Sequence, residues 1–573
     1  MDRLSLPIQK LKAHYEVAVI GSGYGGGVAA SRFARAGKKV GIFERGKEKI
    51  PGEYPATVAA ITEDIQLDLP EAHLGSESAL FDFRFNSEMN VLVGCGLGGT
   101  SLINANISLQ PDQQVLSDPC WPELVRRESA EGNLSLHFER AANMLGATPY
   151  PGSSPRTKKL IALERVAQSW GKQLQPLPIN VTFEDGANAA GVTQKACIGC
   201  GDCVAGCNHM AKNTVLMNYL PDAARHGAEV FTLMRLHHLE RENGVWKLEF
   251  QRVQGVLEPA LPPVTVTADF VVLAAGTLGT TEILLRSRER GLPLSSQLGN
   301  RFSGNGDMVG FSYNSEQTMN AIGWGERLGS DKDRVGPCST GLIDLRDQSS
   351  QGSIMVEASV PGALAAVLPG ALAAGAKLTG IRTEHGMQSF LRAKVREWKS
   401  LLLGAYHGAA QKTDIYLVVS EDDSGGRLYL DGDRVRVSWP GAGNAPALAA
   451  ASGLIQRATA SQGGIFIPNP VWNRLTGNAL ITGHPLGGCA MSDDAASGVV
   501  NHKGEVYCSG SGDAVHPGLL VVDGAAIPRS LGVNPLLTIT AFAERSCAFF
   551  AADHGWTIPY EPIRSLTPNA AYS

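Results

Sequence analysis

Four cysteines lie within eleven residues of this 573-residue chain, at Cys197, Cys200, Cys203 and Cys207. Their spacing, C-x2-C-x2-C-x3-C, lets a short loop present several thiolates to one iron–sulfur cluster. The residue after Cys207 is Asn208, where bacterial ferredoxins have a proline. The spacing predicts that these four cysteines bind an iron–sulfur cluster, with 4Fe-4S as the expected type. Structural zinc, or a cysteine-rich loop without metal, are the alternatives.

A second candidate functional site is the glycine-rich turn at 21–26, which reads Gly-Ser-Gly-Tyr-Gly-Gly. An apolar stretch at 16–20 precedes this turn, a helical stretch at 27–36 follows it, and a second apolar stretch at 39–43 ends at an acid. This order is that of a strand–turn–helix–strand unit that binds a dinucleotide. The helix N-terminus offers amide groups and a positive dipole to the pyrophosphate.

Three glycines of the turn have separate predicted roles. Gly21 permits the tight turn, Gly23 lets the pyrophosphate approach the backbone beside Tyr24, and Gly26 lets helix and strand pack closely. Glu44, at the end of the second strand, can accept hydrogen bonds from the ribose hydroxyls. An acid at this position argues against a cofactor with a 2′-phosphate, but it fits both FAD and NAD.

Further segments distinguish these two cofactors by resemblance. They are Val-Leu-Val-Gly-Cys-Gly-Leu-Gly-Gly-Thr-Ser-Leu-Ile-Asn at 91–104, the strand and glycine turn at 270–285, His-Pro-Leu-Gly-Gly-Cys at 484–489, the apolar run with Asp-Gly at 520–528, and Gly-Val-Asn-Pro at 532–535. From about residue 15 to residue 550 the chain resembles the glucose–methanol–choline (GMC) family of oxidoreductases. The last motifs are most similar to its sterol oxidase branch, and the resemblance implies FAD.

The resemblance also implies an α/β fold in which a Rossmann-type FAD-binding domain is interleaved with a substrate domain built on a β-sheet. The predicted FAD-binding segments are 14–50, 88–110, 208–310 and 478–555. The predicted substrate-binding segments are 51–87, 111–207 and 311–477, which include the cysteine loop and an apolar insertion at 360–410. The further FAD contacts that the matched motifs imply are Gly94, Gly99, Thr100, Asn104, Gly276, Asp523, Gly524, Asn534 and Pro535.

Three residues are catalytic candidates through the same resemblance. His484 is expected to bind the substrate hydroxyl and accept its proton, a role that suits an imidazole near neutral pH. Asn534 is expected to orient the substrate or to contact the reduced flavin. Glu357 is a lone acid in an apolar run and is similar in position to a sterol oxidase base that moves a proton between carbons. A solvent-facing acid on an edge strand is the alternative for Glu357.

The resemblance, together with these sites, implies oxidation of a bulky apolar alcohol, such as a sterol or a long-chain alcohol, by hydride transfer to the flavin. The cluster favours a dehydrogenase that relays electrons to a cytochrome, a quinone or a ferredoxin-like protein. An oxygen-using oxidase with a structural or vestigial cysteine site is the first alternative. A flavin electron-transfer subunit without its own alcohol substrate is the second, and isomerase or lyase chemistry on the same fold is the third.

Composition limits the other classes. A net charge of −5 gives no reason to expect nucleic-acid binding. The polar N-terminus and the ten cysteines favour a cytoplasmic location over a secreted one. The segment 360–410 carries six basic and two acidic residues within apolar sequence, which predicts either a peripheral membrane contact, as on the inner membrane face, or an ordinary lid or dimer-packing helix.

Overall fold

The computed structural model describes residues 1–255, 258–259, 261–347, 352–383, 387–469, 472–473 and 477–562. Its helices are α1 Tyr24–Arg35, α2 Val58–Glu63, α3 Gln113–Leu116, α4 Glu123–Ala130, α5 Ser135–Leu145, α6 Lys158–Ser169, α7 Tyr219–Arg225, α8 Gly276–Glu289, α9 Leu368–Leu378, α10 Met387–Leu403, α11 Gly408–Gln411, α12 Pro446–Ser461 and α13 Leu536–Asp553. Short 3-10 turns connect several of them.

The strands fall into several sheets. They are β1 His14–Ile20, β2 Val40–Phe43, β3 Ile65–Asp68, β4 His73–Leu74, β5 Phe81–Arg84, β6 Met89–Gly94, β7 Thr148–Pro149, β8 Gln175–Pro176, β9 Pro178–Ile179, β10 Gly186–Ala187, β11 Thr193–Gln194, β12 Glu229–Phe231, β13 Met234–Glu242, β14 Val245–Arg252, β15 Val264–Leu273, β16 Met308–Tyr313, β17 Gly341–Asp344, β18 Ser353–Ala358, β19 Ile381–Arg382, β20 Asp414–Ser420, β21 Arg427–Asp431, β22 Arg434–Ser438, β23 Ile465–Ile467, β24 Leu480–Thr482, β25 Glu505–Tyr507 and β26 Val515–Val521.

The first sheet has a parallel core in the order β12-β2-β1-β15-β26, and β14 and β13 extend it antiparallel from β15. The parallel parts of its central strands, 17–20, 40–43 and 271–273, are apolar and buried, as expected of parallel strands covered on both faces. Helices α1 and α8 follow the adjacent strands β1 and β15, so both helices begin at the carboxyl edge of the sheet. Cofactors bind at this edge in open α/β sheets.

The described residues form two further large sheets and three two-stranded sheets, β10-β11, β21-β22 and β7-β9. A five-stranded sheet has the order β24-β6-β5-β3-β4, and a seven-stranded sheet has the order β19-β23-β16-β20-β18-β17-β8. The mixed α/β architecture with an interleaved β-sheet part is therefore confirmed. The five-stranded sheet joins strands from segments that the sequence analysis assigned to different domains, and the exact domain boundaries stay a prediction.

Within the described residues, no helix is both long enough and apolar enough to cross a membrane. The segment predicted as an apolar insertion forms α9, β19, α10 and α11. Helix α10 buries only Ala393 and Ser400 against the rest of the protein and leaves its large apolar side chains exposed. This arrangement differs from that of an ordinary surface helix, which turns its apolar face toward the core.

Candidate active site

His484 lies at the end of β24 and is fixed by a carboxylate that the sequence analysis did not single out. Its Nδ1 is 2.7 Å from Oδ1 of Asp307, which stands just before β16. A carboxylate can only accept, so Nδ1 carries the proton and Nε2 is left as a hydrogen-bond acceptor. Nε2 is thus the atom of His484 that can take a proton from a substrate hydroxyl.

Asp307 is itself held in place by neighbouring donors. Its Oδ2 accepts hydrogen bonds from the Thr482 hydroxyl at 2.9 Å and from the Gly483 amide at 3.2 Å. The Thr482 hydroxyl also accepts from the His484 amide at 2.8 Å. Because Asp307 is buried and bound at both oxygens, it fixes the orientation of the imidazole and can stabilise a protonated ring.

Asn534 completes this group from the other side of the ring. Its Nδ2 lies 3.1 Å from Nε2 of His484 and donates to it. Its Oδ1 is buried and has no hydrogen-bond partner in the protein. The loop that carries Asn534 is tied to the Asp307 loop by Asn305, which bonds the backbone of Leu531 and Val533. Asn534 therefore offers a free acceptor to a bound ligand beside the basic nitrogen of His484.

One pocket contains both of these residues, and we call it the flavin pocket. It runs from the β1–α1 turn to the N-termini of α8 and α13. Of the residues predicted to bind the cofactor, the following line it: Gly21, Gly23, Tyr24, Glu44, Gly94, Gly99, Thr100, Asn104, Gly276, Asp523, Gly524, Asn534 and Pro535. His484 lines the same pocket.

The glycines form a cradle that side chains would fill. Gly21 has φ +91°, and a Cβ there would stand 2.3 Å from the carbonyl oxygen of Ala274. Gly23 faces open space. A Cβ on Gly99 would stand 2.9 Å from the Cα of Gly23. Gly26 lies outside the pocket, and a Cβ there would meet the Gly21 carbonyl at 2.0 Å. Gly26 thus allows helix–strand contact, while Gly21, Gly23 and Gly99 leave room for a pyrophosphate.

Glu44 stands at one end of the cradle. Its Oε2 accepts from the Ser22 amide at 3.1 Å and from the Ser22 hydroxyl at 2.6 Å, and its Oε1 accepts from the Gly46 amide at 2.8 Å. Its position at the end of β2 is the one that binds ribose in dinucleotide folds. Nearby, Asn104 donates to the Tyr24 hydroxyl at 2.7 Å, and burial raises the pKa of Tyr24.

Asp523 joins the two halves of the chain at the start of α8. Its Oδ2 accepts from the Gly276 amide at 2.8 Å and from the Thr280 hydroxyl at 2.6 Å, and its Oδ1 accepts from the Ala525 amide at 2.9 Å. Burial raises the pKa of Asp523 to about 6, although these hydrogen bonds work in the opposite direction. Asp523 thereby anchors the C-terminal motif against the amino end of α8.

A paired set of charges lines another part of the pocket. Arg45 lies 2.6 Å from Asp82, Arg84 lies 2.8 Å from Asp82, and Arg235 lies 2.8 Å from Glu282. Burial alone would raise the pKa of Asp82, but the guanidinium groups of Arg84 and Arg45 lower it to about 2. These carboxylates remain ionised at neutral pH, so each of the three arginines faces a negative partner, and the three arginines outnumber the two carboxylates.

The pocket fits the predicted FAD on three observations of the chain itself. The glycine cradle leaves the backbone accessible, and helices α1 and α8 direct positive N-termini toward it. Glu44 stands at the ribose position. The unpartnered Oδ1 of Asn534 lies at the far motif beside His484.

Glu357 occupies a different place from the one expected of a base at the flavin. It is fully buried on β18 and is not among the residues that line the flavin pocket. Its Oε1 accepts from the Thr340 amide at 2.7 Å and lies 3.2 Å from Nζ of Lys159, and its Oε2 accepts from the Gly341 amide at 3.1 Å. The alternative of a solvent-facing acid is wrong, since Glu357 is a fully bonded carboxylate inside the seven-stranded sheet, while its catalytic role stays a prediction.

The cysteine loop does not form the predicted metal centre. Across the described ranges, which include 197–207, no group of three or more histidine, cysteine, aspartate or glutamate side chains is arranged to hold a metal ion. The cysteines are not disulfide-bonded, and burial raises the pKa of Cys197 to about 11 and that of Cys203 still further. The prediction of an iron–sulfur cluster at Cys197, Cys200, Cys203 and Cys207 is therefore unsupported.

The loop instead holds two neighbouring segments together. The carboxylate of Asp202 accepts hydrogen bonds from the Gly325 amide at 3.0 Å and the Gly362 amide at 2.6 Å. The Cys200 carbonyl accepts from the Trp324 amide at 3.0 Å. The close cysteine spacing thus belongs to a tightly bent loop whose backbone and Asp202 make the contacts.

Sequence reasoning missed Asp307 and the charged wall. Asp307 follows Gly-Asn-Gly in a loop with no motif of its own, and only the fold brings it to His484 across 177 positions of sequence. Arg45 directly follows Glu44, which offered a local signal, but only the fold brings Asp82 of β5 to Arg45 and Glu282 of α8 to Arg235.

Comparison with known proteins agrees with the geometry. The family description "GMC oxidoreductase" matches residues 23–303 with its N-terminal part and residues 446–543 with its C-terminal part. The chain is 30% identical to a cholesterol oxidase of Mycobacterium tuberculosis over 97% of this chain and 95% of that protein. It is 24% identical to a long-chain-alcohol oxidase of Arabidopsis thaliana over 92% of this chain and 66% of that protein.

Solved structures show the same fold. Formate oxidase from Aspergillus oryzae superposes with a TM-score of 0.61 at 12% identity and covers 95% of this chain and 99% of that chain. With the family matched over most of its length, this chain belongs to the GMC oxidoreductases, the FAD-dependent alcohol oxidoreductases.

Proposed function

We propose that this enzyme oxidises a bulky apolar alcohol, a sterol or a long-chain alcohol, to the carbonyl compound and uses oxygen as the electron acceptor. The observation that carries the chemistry is the chain of contacts from Asp307 through His484 to Asn534, of which His484 and Asn534 line the flavin pocket. The substrate class is supported by the cholesterol oxidase and long-chain-alcohol oxidase relatives. Apolar side chains at Ile107, Leu536 and Ile539 in the same pocket are compatible with such a substrate.

The proton step belongs to the protein. A substrate hydroxyl that replaces the Asn534 amide at Nε2 of His484 can donate its proton there, because Nδ1 already carries a proton toward Asp307. The Asp307 carboxylate then stabilises the positive ring through the 2.7 Å contact. Asn534 stays within reach to bind the oxygen of the alcohol. Bound FAD supplies the oxidant, since it accepts a hydride from the carbinol carbon.

Oxygen is proposed as the acceptor for two reasons. Relatives over nearly the whole chain are named oxidases, and the described cysteines do not form a metal-binding group. Oxygen takes up the two electrons and two protons of each turnover and leaves as hydrogen peroxide. The alternative is a relay through an iron–sulfur cluster to a cytochrome, a quinone or a ferredoxin-like protein, and the arrangement of the described cysteines gives that cluster no support.

The test is to supply purified enzyme with cholesterol and with a long-chain primary alcohol while oxygen uptake and peroxide are measured, with iron and acid-labile sulfide assayed on the same sample. We expect one peroxide per carbonyl formed and no stoichiometric iron. Carbonyl formation that needs a one-electron acceptor, together with stoichiometric iron and sulfide, would overturn the oxygen proposal. Oxidation of neither alcohol would overturn the substrate class.

A further inference from the structure

Helix α10 carries a row of exposed apolar side chains, which we call the α10 stripe. Its members are Met387, Leu391, Val395, Trp398 and Leu402, with exposed fractions of 73%, 56%, 67%, 64% and 77%. They are spaced four, four, three and four residues apart, so they lie along one face of the helix. An apolar face on a water-soluble surface calls for a partner that covers it.

The stripe is the main apolar feature of the protein surface. Eleven of the seventeen exposed large apolar side chains among the described residues fall between 367 and 403. They include Val367 directly before α9, Leu378 at the end of α9 and Ile381 on β19, which extend the apolar surface beyond α10. Scattered exposed apolar residues are ordinary, but a contiguous set of this kind marks an interaction surface.

The opposite side of α10 is its attachment to the protein. Ala393 and Ser400 are buried, the Ala393 carbonyl accepts from Asn314 at 2.9 Å, and the Ser400 hydroxyl accepts from the Ala410 amide at 3.1 Å. At 3.6 residues per turn these two positions face away from the stripe. Helix α10 is therefore fixed through its small residues, and its large apolar side chains point outward as a consequence of that attachment.

Positive charge flanks the stripe. Arg392 and Lys399 are exposed on one side of it, and Lys394 is 41% exposed on the other, where it is paired with Glu397 at 3.0 Å. Lys377 and the Arg382 guanidinium, 4.9 Å from the Phe390 ring, lie exposed on the neighbouring segment. Apolar residues between cations match an anionic bilayer, whose acyl region accepts the stripe and whose headgroups attract the cations.

We propose that α10 lies in the plane of an anionic lipid bilayer, with the α10 stripe inserted at the headgroup–acyl boundary. Because no described helix can cross a membrane, the contact is interfacial. This proposal deepens the proposed function. The relevance of membrane binding to catalysis rests on the proposed substrate class, since a sterol or long-chain alcohol resides in the bilayer. Docking on the bilayer shortens the path of such a substrate through water.

Binding is measured on the full-length holoenzyme by co-sedimentation with substrate-free vesicles of phosphatidylcholine, with and without phosphatidylglycerol. The test variant is Leu391→Gln/Val395→Gln/Trp398→Gln. The matched control is Leu74→Gln/Leu136→Gln/Leu328→Gln, which removes three exposed leucines elsewhere. We expect wild type and control to bind anionic vesicles, with at least tenfold weaker binding by the test variant. Arg392→Gln/Lys399→Gln should lower binding severalfold and reduce its salt dependence.

Separate measurements test whether the variants fold and whether another partner covers the α10 stripe. Activity toward a short water-soluble alcohol and flavin content should be equal in all variants, and failure of vesicle binding in wild type overturns the proposal whatever the activity is. Quenching of tryptophan fluorescence by brominated lipid should fall in Trp398→Phe. A stable wild-type dimer that the test variant converts to monomer, without vesicle binding, would show that a second copy covers the stripe and would also overturn the proposal.

Discussion

The Asp307 carboxylate accepts a hydrogen bond from Nδ1 of His484 at 2.7 Å, while Nε2 of the same ring accepts a hydrogen bond from Nδ2 of Asn534 at 3.1 Å. One imidazole is thereby held from both sides, with its orientation fixed by an acid and its basic nitrogen turned toward the flavin pocket. In the proposed mechanism His484 accepts the proton and Asp307 positions the imidazole.

Replacement of the base should slow the chemical step with little effect on the cofactor. In His484→Gln, loss of the proton acceptor should lower kcat by about 10²–10⁴-fold, the usual range for general-base catalysis. Flavin content should stay near that of wild type, because His484 is one of many pocket residues. The measurement is the rate of flavin reduction in anaerobic stopped flow, with the exposed His407→Gln as the control. An unchanged reduction rate would contradict the role of His484.

The Asp307 carboxylate should act only through His484. In Asp307→Asn, the protonated ring loses its anionic partner, so we expect kcat to fall about tenfold to a hundredfold and the acid limb of the pH–rate profile to move to lower pH. The double variant with His484→Gln should be little slower than His484→Gln alone. The measurement is kcat and kcat/KM across the pH range for both single variants and the double variant. Additive losses would show that Asp307 acts independently.

Glu357 should matter for stability rather than catalysis. Glu357→Gln leaves Lys159 as an uncompensated buried charge, and breaking a buried pair in this way costs about 3–5 kcal/mol of unfolding free energy. We therefore expect a lower Tm but nearly unchanged kcat per bound flavin. Lys159→Met is the matched variant and should lower Tm in the same way. A large loss of kcat in Glu357→Gln with no change in Tm would restore the catalytic role that the sequence suggested.

Asp414 should make stability depend on pH. Burial, together with the charge of Glu357, raises the pKa of Asp414 to about 7. The folded state therefore binds a proton that the unfolded state releases near its ordinary pKa of about 4. The stability that the protonated form confers is fully present below pH ~4 and is lost as the pH rises from there to about 7. Over that interval each pH unit lowers the unfolding free energy by about 1.4 kcal/mol.

Asp414→Asn removes this ionisation. Its Tm should be close to that of wild type near pH 4 and higher than that of wild type at pH 8, because wild type then buries a carboxylate with one unpartnered oxygen. The exposed Asp513→Asn is the control and should show no such pH-dependent difference. A Tm difference that stays constant from pH 4 to pH 8 would contradict the assignment.

The parts of the fold that local chemistry dictates were predictable from the sequence. The β1–α1–β2 unit has its glycines, its apolar strands and Glu44 within thirty-one residues, and the structure forms that unit. His484 and Asn534 were identified by motif, and the pocket brings them together. Asp307 could not be foreseen, because its partnership with His484 depends on how the seven-stranded sheet packs against β24.

The cluster predicted for the cysteine loop is not supported by the arrangement of the described residues. Cysteine spacing identifies side chains that could share a metal ligand. A tightly bent loop can also bring such cysteines together, and here the bend follows from Gly199, Gly201 and Gly206, all with positive φ. The exposed face of α10 was likewise ambiguous, because an amphipathic pattern does not say which side faces the protein. The burial of Ala393 and Ser400 decides that point.

The most direct test of the central claim is anaerobic addition of cholesterol or a long-chain primary alcohol to the purified flavoprotein, with wild type and His484→Gln compared. The account predicts that the oxidised flavin absorbance of wild type bleaches with formation of one carbonyl product per flavin, returns on admission of oxygen with release of peroxide, and bleaches at least a hundredfold more slowly in His484→Gln. Flavin that neither alcohol reduces, or that both proteins reduce at the same rate, would contradict it.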